Sequence, residues 1–271
     1  MSERIAFIGG GNMASAIIGG LIKQGVAPKN ISVLEPSPEA RQLLDRNFGI
    51  AAQAQADAEL TGAGLVIWAV KPQAFKEAAM VVAPFVPHAL HLSVAAGIRS
   101  DSIAAWLGTE RVVRAMPNTP ALVGKGISGL FARAGVSEAD RSSVQQVMAT
   151  TGESLWFNAE DKLDVVTALS GSGPAYVFYF MEAMTMAGTE MGLSHEESHQ
   201  LAVATFVGAS DLAQASVDSP QVLRQRVTSK GGTTFAAISS MEDNDVRALF
   251  IDAMYAARER AKTLGDEFGV D

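Results

Sequence analysis

Residues Arg4 to Ile18, RIAFIGGGNMASAII, leave a chain few ways to fold. Ile5, Ala6, Phe7 and Ile8 form an apolar run of strand length, three glycines follow at once, and Asn12 to Ile18 reads as the first turns of a helix. Gly9-x-Gly11-x-x-Ala14 is the strand–turn–helix fingerprint of dinucleotide binding, with alanine as its accepted third member. Gly9 permits the tight turn. Gly11 carries no side chain to block a pyrophosphate, and Ala14 lets helix and strand approach closely. The free N–H groups of the helix start then hold phosphates. Such a unit is stable only as part of an open, mostly parallel sheet with helices on both faces.

The pattern continues. A helix from Asn12 to Gln24 stops at Gly25, which suits a left-handed C-terminal position. Ile31 to Leu34 is a second strand, Glu35 ends it, and Ser37-Pro38 supplies an N-cap and a first-turn proline. Glu35 lies 21 residues after Ala14, the spacing of an acid that bonds the ribose 2′-hydroxyl of NAD. No arginine adjoins it in sequence, and Arg41 is a helical turn further on. Leu65 to Val70 is a continuous apolar strand ending in Lys71-Pro72. His91 to Gly97 is a strand and turn, Ser100 reads as the cap of a helix ending at Gly108, and Arg111 to Ala115 leads into MPNTP. Three strand ends (VKP, AAG and MPNTP) thus carry glycine or proline turns, where an open parallel sheet places its ligand. Strands near 127–131 and 155–157, around a Ser137-capped helix, complete this half.

The period changes from about Glu160. Asp161 to Met191 reads as helix, interrupted at SGSGP by Pro174. Beyond it, Tyr176 to Met186 leaves almost no polar face, which a small helical domain cannot cover alone, so an intimate dimer is expected. Further helices are expected near 195–216, 220–227, 233–241 and 244–264. His195-Glu196-Glu197-Ser198-His199 matches a zinc-peptidase signature, but Ser194 and Glu197 form a capping box that starts a helix, and we expect no metal. Val227 to Ile238, VTSKGGTTFAAI, puts two glycines and two threonines at a helix start, suited to a carboxylate or phosphate.

Composition narrows the chemistry. There is no cysteine, so thiol catalysis and thiolate metal sites are excluded, and no serine occupies a G-x-S-x-G elbow. A net charge of −8 with no basic stripe argues against a nucleic-acid partner. The N-terminus lacks a signal-peptide pattern and no apolar run reaches spanning length, so a cytoplasmic enzyme without membrane association is expected.

IGGGNMASAI, AVKPQ at 69–73, AAG at 95–97, RAMPNTPALV at 114–123, GSGPAYVF at 171–178 and the 227–238 segment, in this order, resemble the pyrroline-5-carboxylate reductases along the whole chain. The resemblance implies reduction of 1-pyrroline-5-carboxylate to L-proline with NADPH or NADH. It implies a Rossmann domain over 1–158 and an all-α substrate-binding and dimerisation domain over 159–271. It further implies a homodimer through the C-terminal helices, extendable to a decamer of five dimers. Carried over by position, Ile8, Gly9, Gly10, Gly11, Asn12, Met13 and Glu35 meet the cofactor, with Ala69, Val70, Lys71, Pro72, Ala95, Ala96 and Gly97 along its remaining length. Ser229, Gly231, Gly232 and Thr233 match the substrate pocket, and the Thr234 hydroxyl bonds the ring nitrogen as the catalytic candidate. Two departures stand out. Lys230 replaces the family's usual proline, and Glu35 sits poorly with a 2′-phosphate. A related oxidoreductase, a β-hydroxyacid dehydrogenase or another imine reductase, is the alternative, and the former would need a lysine where none stands between Lys162 and Lys230. A nucleotide sensor would need no constellation at 229–234.

Overall fold

The computed structural model describes residues 4–269, which form two compact units: residues up to Ser172 with those from Ala257 onward, and Gly173–Ala256. In the first, seven strands form one sheet in the order β2-β1-β3-β4-β5-β6-β7. These are β1 Arg4–Ile8, β2 Ile31–Leu34, β3 Ala63–Trp68, β4 Leu90–Ser93, β5 Val112–Met116, β6 Gly126–Ala132 and β7 Gly152–Phe157. All pairings are parallel except β5 with β6, which run antiparallel. The expected mostly parallel, doubly wound α/β architecture is therefore present.

Strand β1 shows why. Ile5 and Phe7 enter one buried cluster with Ile17 and Leu21, while Ala6 and Ile8 enter the other with Trp68 and Phe75. A strand covered on both faces needs an unbroken apolar run, and alternation would have left one face wet. The covering helices are α1 Asn12–Lys23, α2 Pro38–Phe48, α3 Pro72–Val82, α4 Ser100–Leu107 and α5 Glu138–Met148. Helix α1 buries Ala14, Ile17, Ile18 and Leu21, one stripe at helical spacing. Ser137 caps α5 in a reciprocal box with Asp140.

Then come α6 Lys162–Val166, α7 Gly173–Glu190, α8 His195–Ala215, α9 Pro220–Arg226, α10 Thr233–Asp243 and α11 Val246–Glu267. Helix α11 begins in the helical unit, and its last turns, from Ala257, belong to the first. Two local readings need correction. Ser100 is not the N-cap of α4: Arg99 holds that position, because both the N–H and the hydroxyl of Ser100 donate to Glu160, at 2.6 Å each. The break before α7 is not made at Pro174. Thr167–Gly171 is a π-turn closed by the Ser172 N–H on the Thr167 carbonyl, and Pro174 stands in the first turn of α7, where its missing N–H costs nothing.

Helix α7 leaves Val177, Phe178, Tyr179, Met184 and Met186 exposed on the single chain. A cavity of about 570 Å³ runs along α7 and the start of α8, lined by Phe178, Met181, Met186, His195 and His199 among others. The capping box of α8 is formed: Glu197 accepts the Ser194 N–H at 2.8 Å, which holds its carboxyl below the usual range. Among the described residues no three histidine, aspartate or glutamate side chains converge on a metal position, and no helix is long and apolar enough to cross a membrane.

Candidate active site

The carboxyl ends of β1, β2, β3 and β4 bring the sequence-predicted cofactor residues together. The N–H of Ala69 donates to the Ile8 carbonyl at 2.8 Å, and that of Val94 to the Trp68 carbonyl at 3.0 Å, so the three turns after β1, β3 and β4 lie side by side. Gly9 has φ +95°, and a Cβ there would stand 2.5 Å from the Ala69 carbonyl oxygen. Only glycine fits between these two backbones. Gly9 and Gly10 are buried, whereas Gly11 and Asn12 are exposed. Gly11 is the N-cap of α1 and has no atom within 4 Å of where its Cβ would be. The helix start is thus uncovered, with the positive end of its dipole open to an anion.

Beside it a cavity of about 570 Å³ is lined by Gly9, Leu34, Pro36, Gln55, Val70 and Glu77, among others. Gln53, just before this lining, keeps Oε1 buried without a partner. The cradle and the cavity fit a dinucleotide: phosphates at Gly11 to Met13, and an adenosine against the apolar wall. Lys71 is exposed at the N-cap of α3 and Pro72 opens that helix. The side chain of Met13 packs against the core, and Ala95 is buried in it, so both present backbone rather than side chain. Ala96 and Gly97 are half-buried.

Glu35 is anchored by its own chain. Its Oε2 accepts the Gly10 N–H and its Oε1 the Ser37 N–H, both at 2.8 Å. Its spare lone pairs remain available to a ribose. Arg41 corrects the sequence reading: it folds back, and its Nη1 donates to the carbonyls of Glu35 and Pro36 at 2.9 and 2.7 Å. The signal was its position four residues after Ser37, on the first turn of α2, which faces back to the strand end.

A second group missed in sequence lies beneath the β4 turn. Arg114, only 4% exposed, pairs with Glu160 at 2.6 Å, and burial presses its pKa down against the pull of that carboxylate. Arg99 forms a two-pronged pair with Asp164 at 3.0 and 2.8 Å, which raises its pKa. These two ion pairs join residues 46 and 65 positions apart, a reversal of the chain for which sequence carries no local mark.

The helical unit holds the remaining candidates. After α9, the Thr228 hydroxyl donates to the Arg224 carbonyl at 2.6 Å. Gly231 turns the loop at φ +75°, and the Gly232 N–H donates to the Ser229 carbonyl at 3.0 Å. A Cβ at Gly232 would stand 2.8 Å from the Ser229 Oγ and 3.2 Å from the Ser229 carbonyl oxygen, so Ser229 closes over this position. Gly232 is the N-cap of α10 and lends no side chain to its first-turn N–H groups, beside which Thr233 is exposed and Thr234 half-buried. The loop gathers Ser229, Gly231, Gly232, Thr233 and Thr234 at one helix start. Lys230 is exposed on it.

Comparison with known proteins gives the relatives of this chain. A family model described as pyrroline-5-carboxylate reductase dimerisation matches residues 160–264, and one described as NADP oxidoreductase, coenzyme F420-dependent, matches residues 4–97. The pyrroline-5-carboxylate reductase of Pseudomonas aeruginosa is 46% identical over 271 residues, covering 99% of each chain. A solved pyrroline-5-carboxylate reductase from Coxiella burnetii superposes with TM-score 0.89 at 38% identity, over 97% of this chain and 99% of that one. The pyrroline carboxylate reductase of Plasmodium falciparum, solved with NADP bound, superposes with TM-score 0.87 at 28% identity, over 97% and 98%.

Proposed function

The chain belongs to the pyrroline-5-carboxylate reductase family, and from that premise we infer how its own residues divide the reduction of 1-pyrroline-5-carboxylate to L-proline. NADPH or NADH supplies the hydride to the carbon of the ring C=N bond. The observation that carries the division of labour is that one chain has two uncovered helix starts, each capped by a glycine, Gly11 on α1 and Gly232 on α10. The first is built into a cofactor cavity. The second carries hydroxyls.

Gly11, Asn12 and Met13 hold the pyrophosphate through backbone N–H groups. Lys71 and Pro72 at the start of α3, and Ala95 to Gly97 after β4, border the cofactor further along. At α10 the N–H groups of Thr233 and Thr234 bind the substrate carboxylate, and Ser229 with Gly231 and Gly232 shapes the loop around it. The Thr234 hydroxyl bonds the ring nitrogen, which gains a proton as the imine becomes an amine. No thiol or metal enters this chemistry: it needs a charged ring oriented against the nicotinamide and a hydrogen-bond partner at nitrogen. Functionally we divide the chain near residue 159, a cofactor domain before it and a substrate and dimerisation domain after it, supported by the start of the dimerisation match at residue 160. The protein oligomerises, and we assign the exposed apolar face of α7 to a homodimer, with a decamer of five such dimers as the larger form. The cysteine-free composition suits a reducing cytoplasm.

Mixing the protein with substrate and NADPH or NADH and following nicotinamide absorbance tests the whole reading; a folded protein without turnover refutes it. Thr234→Val then tests the role of the hydroxyl. Loss of a positioned proton donor lowers kcat by about 10²–10⁴-fold. Loss of a neutral hydrogen bond, worth about 0.5–1.5 kcal/mol, lowers it about tenfold at most. The first result supports proton delivery, the second leaves Thr234 as a positioning residue with solvent as the donor, and unchanged kinetics remove it from the site.

A further inference from the structure

The turn after β4, Ala95–Gly97, is held from below by the last turns of α11. A Cβ on Gly97 would meet the Leu264 Cβ at 3.1 Å and the Phe268 Cδ2 at 3.5 Å. Gly97 has φ +72°, so the turn has a strained geometry for any other residue and rests directly on the helix. Two residues on, the Arg99 guanidinium lies flat on Gly265, whose Cβ would stand 2.6 Å from Nε and 2.8 Å from Cζ and Nη2. In that position Arg99 grips both oxygens of Asp164 on α6. Glu160 takes the Ser100 N–H and hydroxyl, and the Ser102 hydroxyl donates to the Gly269 carbonyl at 3.3 Å. A segment of six residues is therefore fixed at four points by elements far away in sequence.

We propose that Arg99 and Gly265 are positioning residues for the nicotinamide cofactor: the absence of a side chain at 265 lets α11 seat the Arg99 guanidinium in its grip on Asp164, and that grip fixes the Ala95–Gly97 turn at the height the cofactor requires. Neither residue touches the cofactor. The proposal rests on the assignment of that turn to the cofactor. Glycine inside a helix is less favourable than alanine, so a purely structural account predicts that Gly265→Ala stabilises α11. The brace predicts the reverse for binding, because the new methyl pushes Arg99 off Asp164 while the α11 backbone stays in place, and the Ala95–Gly97 turn shifts once that grip is lost. Misplacing a cofactor support by ~1 Å costs up to about 10²-fold in the step it serves.

The test measures the NADPH and substrate KM values and thermal midpoints of Gly265→Ala, Arg99→Ala and the double variant. Expected are melting temperatures at or near wild type for Gly265→Ala, a cofactor KM raised about tenfold or more in each single variant, and a substrate KM changed by about twofold or less. Since both act through one contact, the double variant matches Arg99→Ala instead of adding to it. Additive losses, or an unchanged cofactor KM in Gly265→Ala, overturn the brace. Ala96→Asp, a carboxylate in the turn itself, separates the two assignments. If it abolishes cofactor binding while Gly265→Ala leaves it intact, the brace alone is refuted. If both bind normally, the turn does not meet the cofactor and the brace falls with it.

Discussion

Replacing Gly9 by alanine sets a methyl carbon 2.5 Å from the Ala69 carbonyl oxygen, 2.8 Å from its carbon and 3.1 Å from the Val70 nitrogen. These are backbone atoms tied to β1 through the Ala69 N–H, so no rotamer relieves the clash. Holding a non-glycine residue at φ +95° costs about 1–3 kcal/mol, and forcing an extra carbon into a packed site about 1–3 more. The sum is roughly 2–6 kcal/mol against a native stability of about 5–15 kcal/mol. For a chain of this size each kcal/mol moves Tm by about 2–4 °C. Gly9→Ala is therefore expected to melt about 5–20 °C early. Gly11→Ala is the control within the same motif. Its φ is −71° and no atom lies within 4 Å of the new carbon, so its cost is the weaker N-cap preference of alanine, about 1 kcal/mol. The methyl nevertheless projects where the pyrophosphate must approach, and displacing the phosphates by ~1 Å lowers productive cofactor binding up to about 10²-fold. Thermal melts of the cofactor-free proteins and fluorescence titration with NADPH read both quantities. If Gly9→Ala melts with wild type, or Gly11→Ala melts as early as Gly9→Ala while binding NADPH normally, the assignment of one glycine to the fold and the other to the ligand is wrong.

Glu35→Ser removes a negative charge from the end of β2; both catalytic efficiencies fall as Gly10 and Ser37 lose their acceptor, but the NADPH-to-NADH ratio rises, and an unchanged ratio shows that Glu35 does not face the 2′ position. His91 is 2% exposed and its Nδ1 accepts the Trp68 indole N–H at 3.1 Å, which places its proton on Nε2. Burial, with Arg111 adding to it, pulls its pKa down to about 4 from the ordinary 6.5. The unfolded chain therefore binds more protons between pH 6.5 and 4, and roughly 3 kcal/mol of stability present above pH 6.5 is lost as pH falls through that window. His91→Asn, whose amide oxygen stands in for Nδ1, flattens urea-melt stability over that range; a slope identical to wild type refutes it. Gly10→Ala drives its methyl against the buried Leu44 Cδ1, at 2.6 Å, and reaches the Glu35 Cβ and Cγ at 3.4 Å, so the same thermal melts are expected to come earlier than wild type; an unchanged melt refutes that packing cost.

Local rules carried the sequence reading wherever the partners of a group lie within a few residues. The strand–glycine–helix opening, the left-handed Gly25 and the capping boxes at Ser137 and Ser194 are short-range geometry, and all are present. The unbroken apolar runs at 5–8 and 65–68 announced a sheet covered on both faces, and the buried clusters on either side bear that out. The failures have two causes, a partner remote in sequence and a local bond that composition does not mark. Ser100 carries the chemistry of a cap, but Glu160 claims both its donors from 60 residues away. Arg41 stands only six residues from Glu35, and its bond to the Glu35 carbonyl forms because the first turn of α2 directs it back to the strand end. The π-turn at 167–171 has no composition of its own; it is visible only in the Ser172–Thr167 bond. At the candidate site the glycines and threonines were legible, while the contacts of Arg99 with Asp164 and Gly265 became visible only when three remote segments met.

The division of the first unit into two stretches of chain has a consequence for synthesis. A ribosome that has finished Ser172 has made every strand of the sheet, yet the surface that receives Leu264, Gly265 and Phe268 waits until Phe268, 96 residues later (268 − 172), has been added. At about 5–20 residues per second that interval lasts roughly 5–19 s. During it the turn at Gly97 has the Arg99–Asp164 and Ser100–Glu160 bonds but lacks its packing against Leu264 and Phe268. The nascent protein thus acquires its sheet early and the finished turn after β4 late, with helices α7 to α10 emerging in between.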